Sequence, residues 1–167
     1  MYTDDKRHTN CVCISKHYFM PDKATIQRAR KDKQQGKAPS TQAGEFVKSE
    51  IDKVRAGKHG VRNTRQAIAI GLSEARRAGV DLPQPKKGTV SEKTRENARR
   101  ESAKGRKHEP VSKTRSQARE KALKKESTEG ASPRALSQQA RSAAAKRSPA
   151  DRSKAAKKAA RTRASHR

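Results

Sequence analysis

The sequence predicts a mainly α-helical protein with extensive disorder, built around a small helical hairpin at about residues 41–56 and 64–78. Three observations carry this expectation. Ten large apolar residues lie between Phe46 and Leu82, against four (Val90, Val111, Leu123 and Leu136) in the 79 residues from Thr89 onward. Within the first group they recur at helical spacing. The remainder is rich in Ala, Lys, Arg, Glu and Gln, all good helix formers. Yet Leu, Ile, Val and Phe number only 18 in 167 residues, too few for burial to offset ordering entropy along the whole chain.

Residues 1–19 differ in style from all that follows. They hold both cysteines (Cys11, Cys13), both tyrosines (Tyr2, Tyr18) and one of two phenylalanines, Phe19. The simplest reading is a non-native upstream extension, with Met20 as the authentic start; a native protein whose intact mass retains Cys11 excludes it. Two cysteines so close cannot form a disulfide framework. A zinc site would have to recruit His8 and His17, whose spacing looks accidental, so no metal or other cofactor is expected. No apolar run approaches the roughly 20 residues of a membrane-spanning helix, and the N-terminus lacks the apolar core of a signal peptide. The expected location is the cytoplasm.

Residues 20–39 form a basic lead-in to the hairpin core, residues 40–83. Ser40 and Thr41 follow Pro39 and are placed to cap a starting helix, with Glu45 in its first turn. Ala43, Phe46, Val47, Ile51 and Val54 then share one face, and Gly57 ends the helix. Asn63 is the expected N-cap of the second helix, with Gln66 completing a variant capping box. That helix runs to Ala78, followed by Gly79 and stopped by Pro83 and Pro85. Ala67, Gly71 and Ala75 make a small-residue stripe at i, i+4 and i+8, flanked by Ile68 and Leu72, where another helix can approach closely. Two helices with so few apolar side chains hold each other poorly. Dimerisation or docking on a partner through this stripe is therefore expected.

Residues 84–130 read as a basic linker containing a repeat: Val90-Ser91-Glu92-Lys93-Thr94-Arg95 is echoed by Val111-Ser112-Lys113-Thr114-Arg115. In the tail, residues 131–167, Ser132-Pro133 and Ser148-Pro149 each open an Ala/Arg/Ser stretch, with Ser as cap and Pro at the first helical position. Lacking an apolar face, these segments are expected to be nascent helices or coil in isolation.

Charge supplies the class of partner. Lys and Arg outnumber Asp and Glu 43 to 17, for a net +26, and such a polycation calls for a polyanion. Residues 131–167 alone carry eleven Lys/Arg against one acid, Asp151. Lys146, Arg147, Arg152, Lys154, Lys157, Lys158, Arg161, Arg163 and Arg167 are the candidate phosphate contacts, forming a cationic stripe if the region becomes helical. Binding driven by counterion release is nearly blind to sequence. In composition this tail resembles those of linker histones and bacterial histone-like proteins. No aromatic residue follows Phe46, which disfavours single-strand stacking. The inter-helix spacing of six or seven residues is longer than a helix-turn-helix turn.

Neither a nucleophile–base pair, a glycine-rich phosphate loop nor a metal-spaced cluster is present in the sequence. His59, within Gly57-Lys58-His59-Gly60, reads as an exposed loop residue, and Glu74 as support for a helix surface. The expectation is a non-enzymatic, nucleoid-associated DNA-binding protein without small-molecule substrate or membrane partner. The same charges suit RNA or the ribosome. A protein-binding, antitoxin-like or stress-protective role is the rival from another class.

The stretch Arg65-Gln66-Ala67-Ile68-Ala69-Ile70-Gly71-Leu72-Ser73-Glu74-Ala75-Arg76-Arg77-Ala78-Gly79 resembles the hallmark of a family of small basic prokaryotic proteins of unknown function. Ser40-Thr41-Gln42-Ala43-Gly44-Glu45-Phe46-Val47 and Gly57-Lys58-His59-Gly60 are similar to segments of its longer bacterial members, which commonly begin near the equivalent of Met20. The resemblance spans about residues 20–105 and the general character of the tail. It implies DNA association, because some members are labelled plasmid stabilisation proteins. It implies no catalytic or binding residue.

Overall fold

A computed structural model describes residues 21–165. The expectations for residues 1–19, and for Arg167, fall outside that range. Seven α-helices and one 3₁₀ turn follow in order: α1 Lys23–Gln34, α2 Pro39–Arg55, α3 Thr64–Arg77, α4 Glu92–Arg106, α5 Lys113–Leu123, the 3₁₀ turn Glu129–Ala131, α6 Pro133–Ala145 and α7 Pro149–Ser165. The protein is mainly α, and α2 with α3 is the expected hairpin.

Local signals place most of the ends. The Asn63 side chain accepts from Gln66 N–H, and Gln66 Oε1 in return accepts from Arg62 N–H, one residue before the position a standard capping box uses. Ser132 and Ser148 accept from the N–H groups of Ala135 and Asp151, as their Ser-Pro context predicts. Gly57 and Gly79 take positive φ, 69° and 85°, which follows the last helical turn at little cost only for glycine. The start of α2 is a correction. Pro39 itself is the first helical residue after Ala38, with no side-chain cap bond, because proline's fixed φ and missing N–H suit that position.

The stripe on α3 is filled from within the chain. Ala67, Gly71 and Ala75 are all buried, and α2 lies across them. A Cβ on Gly71 would sit 2.7 Å from Val47 Cα and 2.9 Å from Val47 N, so the two backbones touch where only hydrogen fits. Phe46, Ala43, Ala75 and Ala29 make one apolar cluster, with Leu72 packed at its edge. Val54, Val61, Ala67, Ile70, Leu123 and Ala131 make another, joined by Ile51. Val47 and Ile68 are half-buried. These residues serve helix packing inside one chain, and the stripe has no face left for a second copy.

Nor is the core confined to residues 40–83. From the lead-in, α1 buries Thr25 and Ala29 and packs on α2. From the linker, α4 packs on α3 through Ala98, Ser102 and Gly105, a small-residue stripe of its own. Gly105 closes directly on the Arg76 carbonyl, and Arg77 pairs with Glu101 beside it. Residues 123–131 are fastened to the hairpin loop by backbone bonds: Gly60 N–H to Leu123 O at 3.0 Å and Val61 N–H to Ser127 O at 2.8 Å. Thr64 Oγ1 donates to Gly130 O at 2.7 Å, and Arg55 Nε to Ala131 O at 3.0 Å. The flanks thus supply much of the burial that two helices alone lack. Among the described residues no helix is long and apolar enough to cross a membrane.

Candidate nucleic-acid interface

More than half of the described acids before the tail are held in ion pairs. Eight of them sit in ion pairs on α1 to α5: Asp32, Glu45, Glu50, Glu74, Glu92, Glu96, Glu101 and Glu120. Glu96 takes both Arg99 and Arg100, whose hydrogen bonds hold its exposed carboxyl below the usual range.

The C-terminal helix is the opposite. Every residue of α7 is exposed. Its single acid, Asp151, accepts from Ser148 Oγ at 2.8 Å and is thereby drawn into the N-terminal cap. Among the described residues, Lys146, Arg147, Arg152, Lys154, Lys157, Lys158, Arg161 and Arg163 have no acidic partner. Their arrangement corrects the single-stripe expectation. Lys154, Lys157, Lys158 and Arg161 fall at i, i+3, i+4 and i+7, so they share one face of α7. Arg152 and Arg163 project from the other side, while Lys146 and Arg147 lie at the junction with α6.

Two further residues overturn their sequence reading. His59 is buried, 7% exposed, and Glu74 likewise at 4%. His59 Nε2 lies 3.5 Å from Glu50 Oε1, and its Nδ1 lies 3.1 Å from the Gly60 carbonyl. Lys53 Nζ stands 3.8 Å from Glu50 Oε2 and 3.6 Å from Glu74 Oε1. The bond to Glu50 holds the His59 pKa above its usual range, against the opposing effect of burial. Burial pushes the Glu74 carboxyl up to about 7, with Lys53 opposing it. Glu74 Oε2 has no hydrogen-bond partner, and Glu50 Oε1 faces only the His59 ring, at the long distance of 3.5 Å. The sequence signal was available: Glu50 continues the α2 stripe of Ala43 and Phe46 towards Val54, and Glu74 lies three residues after Gly71. Among the described residues no three His, Cys, Asp or Glu are grouped to hold a metal ion.

Taken together, fold and charge define a small all-α body with an unpaired cationic helix at its C-terminal end. Residues 30–87 match a family of unknown function (DUF6496). The matched stretch contains α2, the loop with His59, and α3; it ends before α4 and the basic tail. No curated protein and no solved structure matches the chain.

Proposed function

We propose that the protein is a non-enzymatic, largely sequence-independent DNA-associated protein that serves plasmid stabilisation or nucleoid organisation. The observation that carries this reading is the segregation of charge. Eight acids of α1 to α5 are held in ion pairs, whereas among the described residues eight cations between Lys146 and Arg163 are exposed with no acidic partner and a single acid, Asp151, near them. An α-helix of this kind offers a duplex phosphate contacts and little else, since no aromatic residue accompanies it. The link to plasmid stabilisation rests on the likeness of Arg65–Gly79 to the hallmark of a family only some of whose members are so labelled.

The test is the salt dependence of duplex binding. Engagement of all eight cations gives a log–log slope of about −7, and the four on one face of α7 about −4. Shortening the chain after Ala145 should remove most of that slope. This cut preserves Leu123 and Ala131 in the core, which a cut at residue 131 would disturb. A flat salt response in the full chain sinks the reading. Stronger competition by structured RNA than by duplex DNA would redirect it to RNA, and a protein partner that survives nuclease treatment would favour a protein-binding role.

A further inference from the structure

Between the start of α3, the 3₁₀ turn and α6 lies an open cleft of about 740 Å³. Arg62, Arg65 and Arg134 border it. None of the three is in an ion pair among the described residues; Arg65 Nε is steadied by Gln139 Oε1 at 3.1 Å, on the α6 wall. One carboxylate, Glu129, shares the lining. The lining therefore carries three cations against one acid. Arg65 and Arg134 stand in the first turns of α3 and α6 and Arg62 in the loop just before α3, and the backbone that carries them is fastened by Thr64 Oγ1 to Gly130 O and by Val61 N–H to Ser127 O.

A guanidinium is a planar fork of donors that matches the oxygens of a phosphate. Three of them around one cleft make an anion seat, with space for a phosphate and the sugar attached to it. The first-turn N–H groups of Thr64, Arg65 and Arg134 have no intrahelical acceptor and add donors at the same rim. We infer that this cleft seats a backbone phosphate of bound DNA. It fixes the folded body against the duplex while α7 supplies bulk attraction. The choice of DNA as the source of the phosphate rests on the function proposed above; the preference for a phosphate rests on the cleft alone.

Two measurements on the full chain separate these claims. Inorganic phosphate, titrated against chloride at matched ionic strength, should shift the amide resonances of Thr64, Arg65 and Arg134, and the shifts should vanish in R62A/R65A/R134A. For duplex DNA the same variant should lose about tenfold in affinity at low salt, with a slope shallower by about 1. Glu129→Gln should tighten binding severalfold, a gain that no folding defect can imitate. Control variant K48A, an exposed α2 cation outside the cleft lining, should leave the slope unchanged. Phosphate shifts without any duplex binding would overturn the DNA reading and leave an anion cleft. Duplex binding unchanged in both R62A/R65A/R134A and E129Q overturns the cleft and leaves α7 alone.

Discussion

Gly71→Leu abolishes cooperative folding, and Gly71→Ala costs several kcal/mol, whereas Gly44→Ala stabilises the protein by about 0.5–1 kcal/mol. All three replace glycine within helices, so helix propensity favours every one of them. The sign is decided by what the new Cβ meets. At Gly71 the neighbours are backbone atoms of α2: Val47 Cα at 2.7 Å, Val47 N at 2.9 Å and Phe46 C at 3.1 Å. Backbone cannot rotate away as a side chain can, so the helices must separate and both apolar clusters loosen. At Gly44, on the exposed side of α2, nothing lies within 4 Å. Urea unfolding followed by far-ultraviolet circular dichroism checks the set. Equal stability changes at Gly44 and Gly71 would mean that α2 and α3 do not touch at this point.

The hairpin was legible because its signals are local and redundant. Asn63 with Gln66, Gly79, and the Ala67/Gly71/Ala75 spacing each indicate the same helix ends or face. What covers the hairpin was not legible, for two physical reasons. Counting large apolar side chains misses contacts made by small ones: Ala98, Ser102 and Gly105 let α4 approach α3 with little apolar mass. And the 123–131 segment is held by backbone bonds to Gly60 and Val61, which leave no trace in side-chain patterning. The phosphate site divides similarly. The cations of α7 stand out in composition, whereas Arg62, Arg65 and Arg134 converge only through the contact between α3 and α6.

The flanks also explain how so basic a chain retains a folded body. The flanking helices α1, α4 and α5 each take part in ion pairs, such as Arg28–Glu45 at 2.7 Å joining α1 to α2. Individually, exposed pairs of this kind contribute little. Their larger consequence is spatial: acids are held among the cations of α1 to α5, so the largest net positive charge on any helix lies along the C-terminal one, which has one acid, Asp151.

The stability contributed by the buried His59 and Glu74 cluster falls as pH rises from about 5 to 8, and Glu74→Gln removes much of that fall. Two groups act in the same direction. Burial raises the Glu74 pKa from 4.5 to about 7, so between these values the folded state holds a proton that the unfolded state has released. Its stability contribution is greatest below 4.5 and is lost as pH climbs through 7. The displacement corresponds to about 3 kcal/mol. His59 is raised above 6.5 chiefly by its bond to Glu50, so its contribution is complete below 6.5 and is lost as pH passes its folded value. The geometry gives the reason: both ring nitrogens face oxygens, Glu50 Oε1 and the Gly60 carbonyl, and only the imidazolium has a proton for each. Lys53, 3.6 Å from Glu74, tempers the effect without reversing it. Urea midpoints across this range check the prediction. Glu74→Gln should be more stable than the parent at pH 8, and His59→Gln should be less stable at pH 5, with its deficit shrinking towards pH 8. A net charge of +26 makes acid unfavourable to any compact state of this chain, so the decisive quantity is the difference between variant and parent at each pH. A Glu74→Gln protein whose stability runs parallel to the parent's across the window would show that the buried carboxylate titrates alike in both states. The His59–Glu50 bond would then be the sole source of any remaining pH dependence in the cluster.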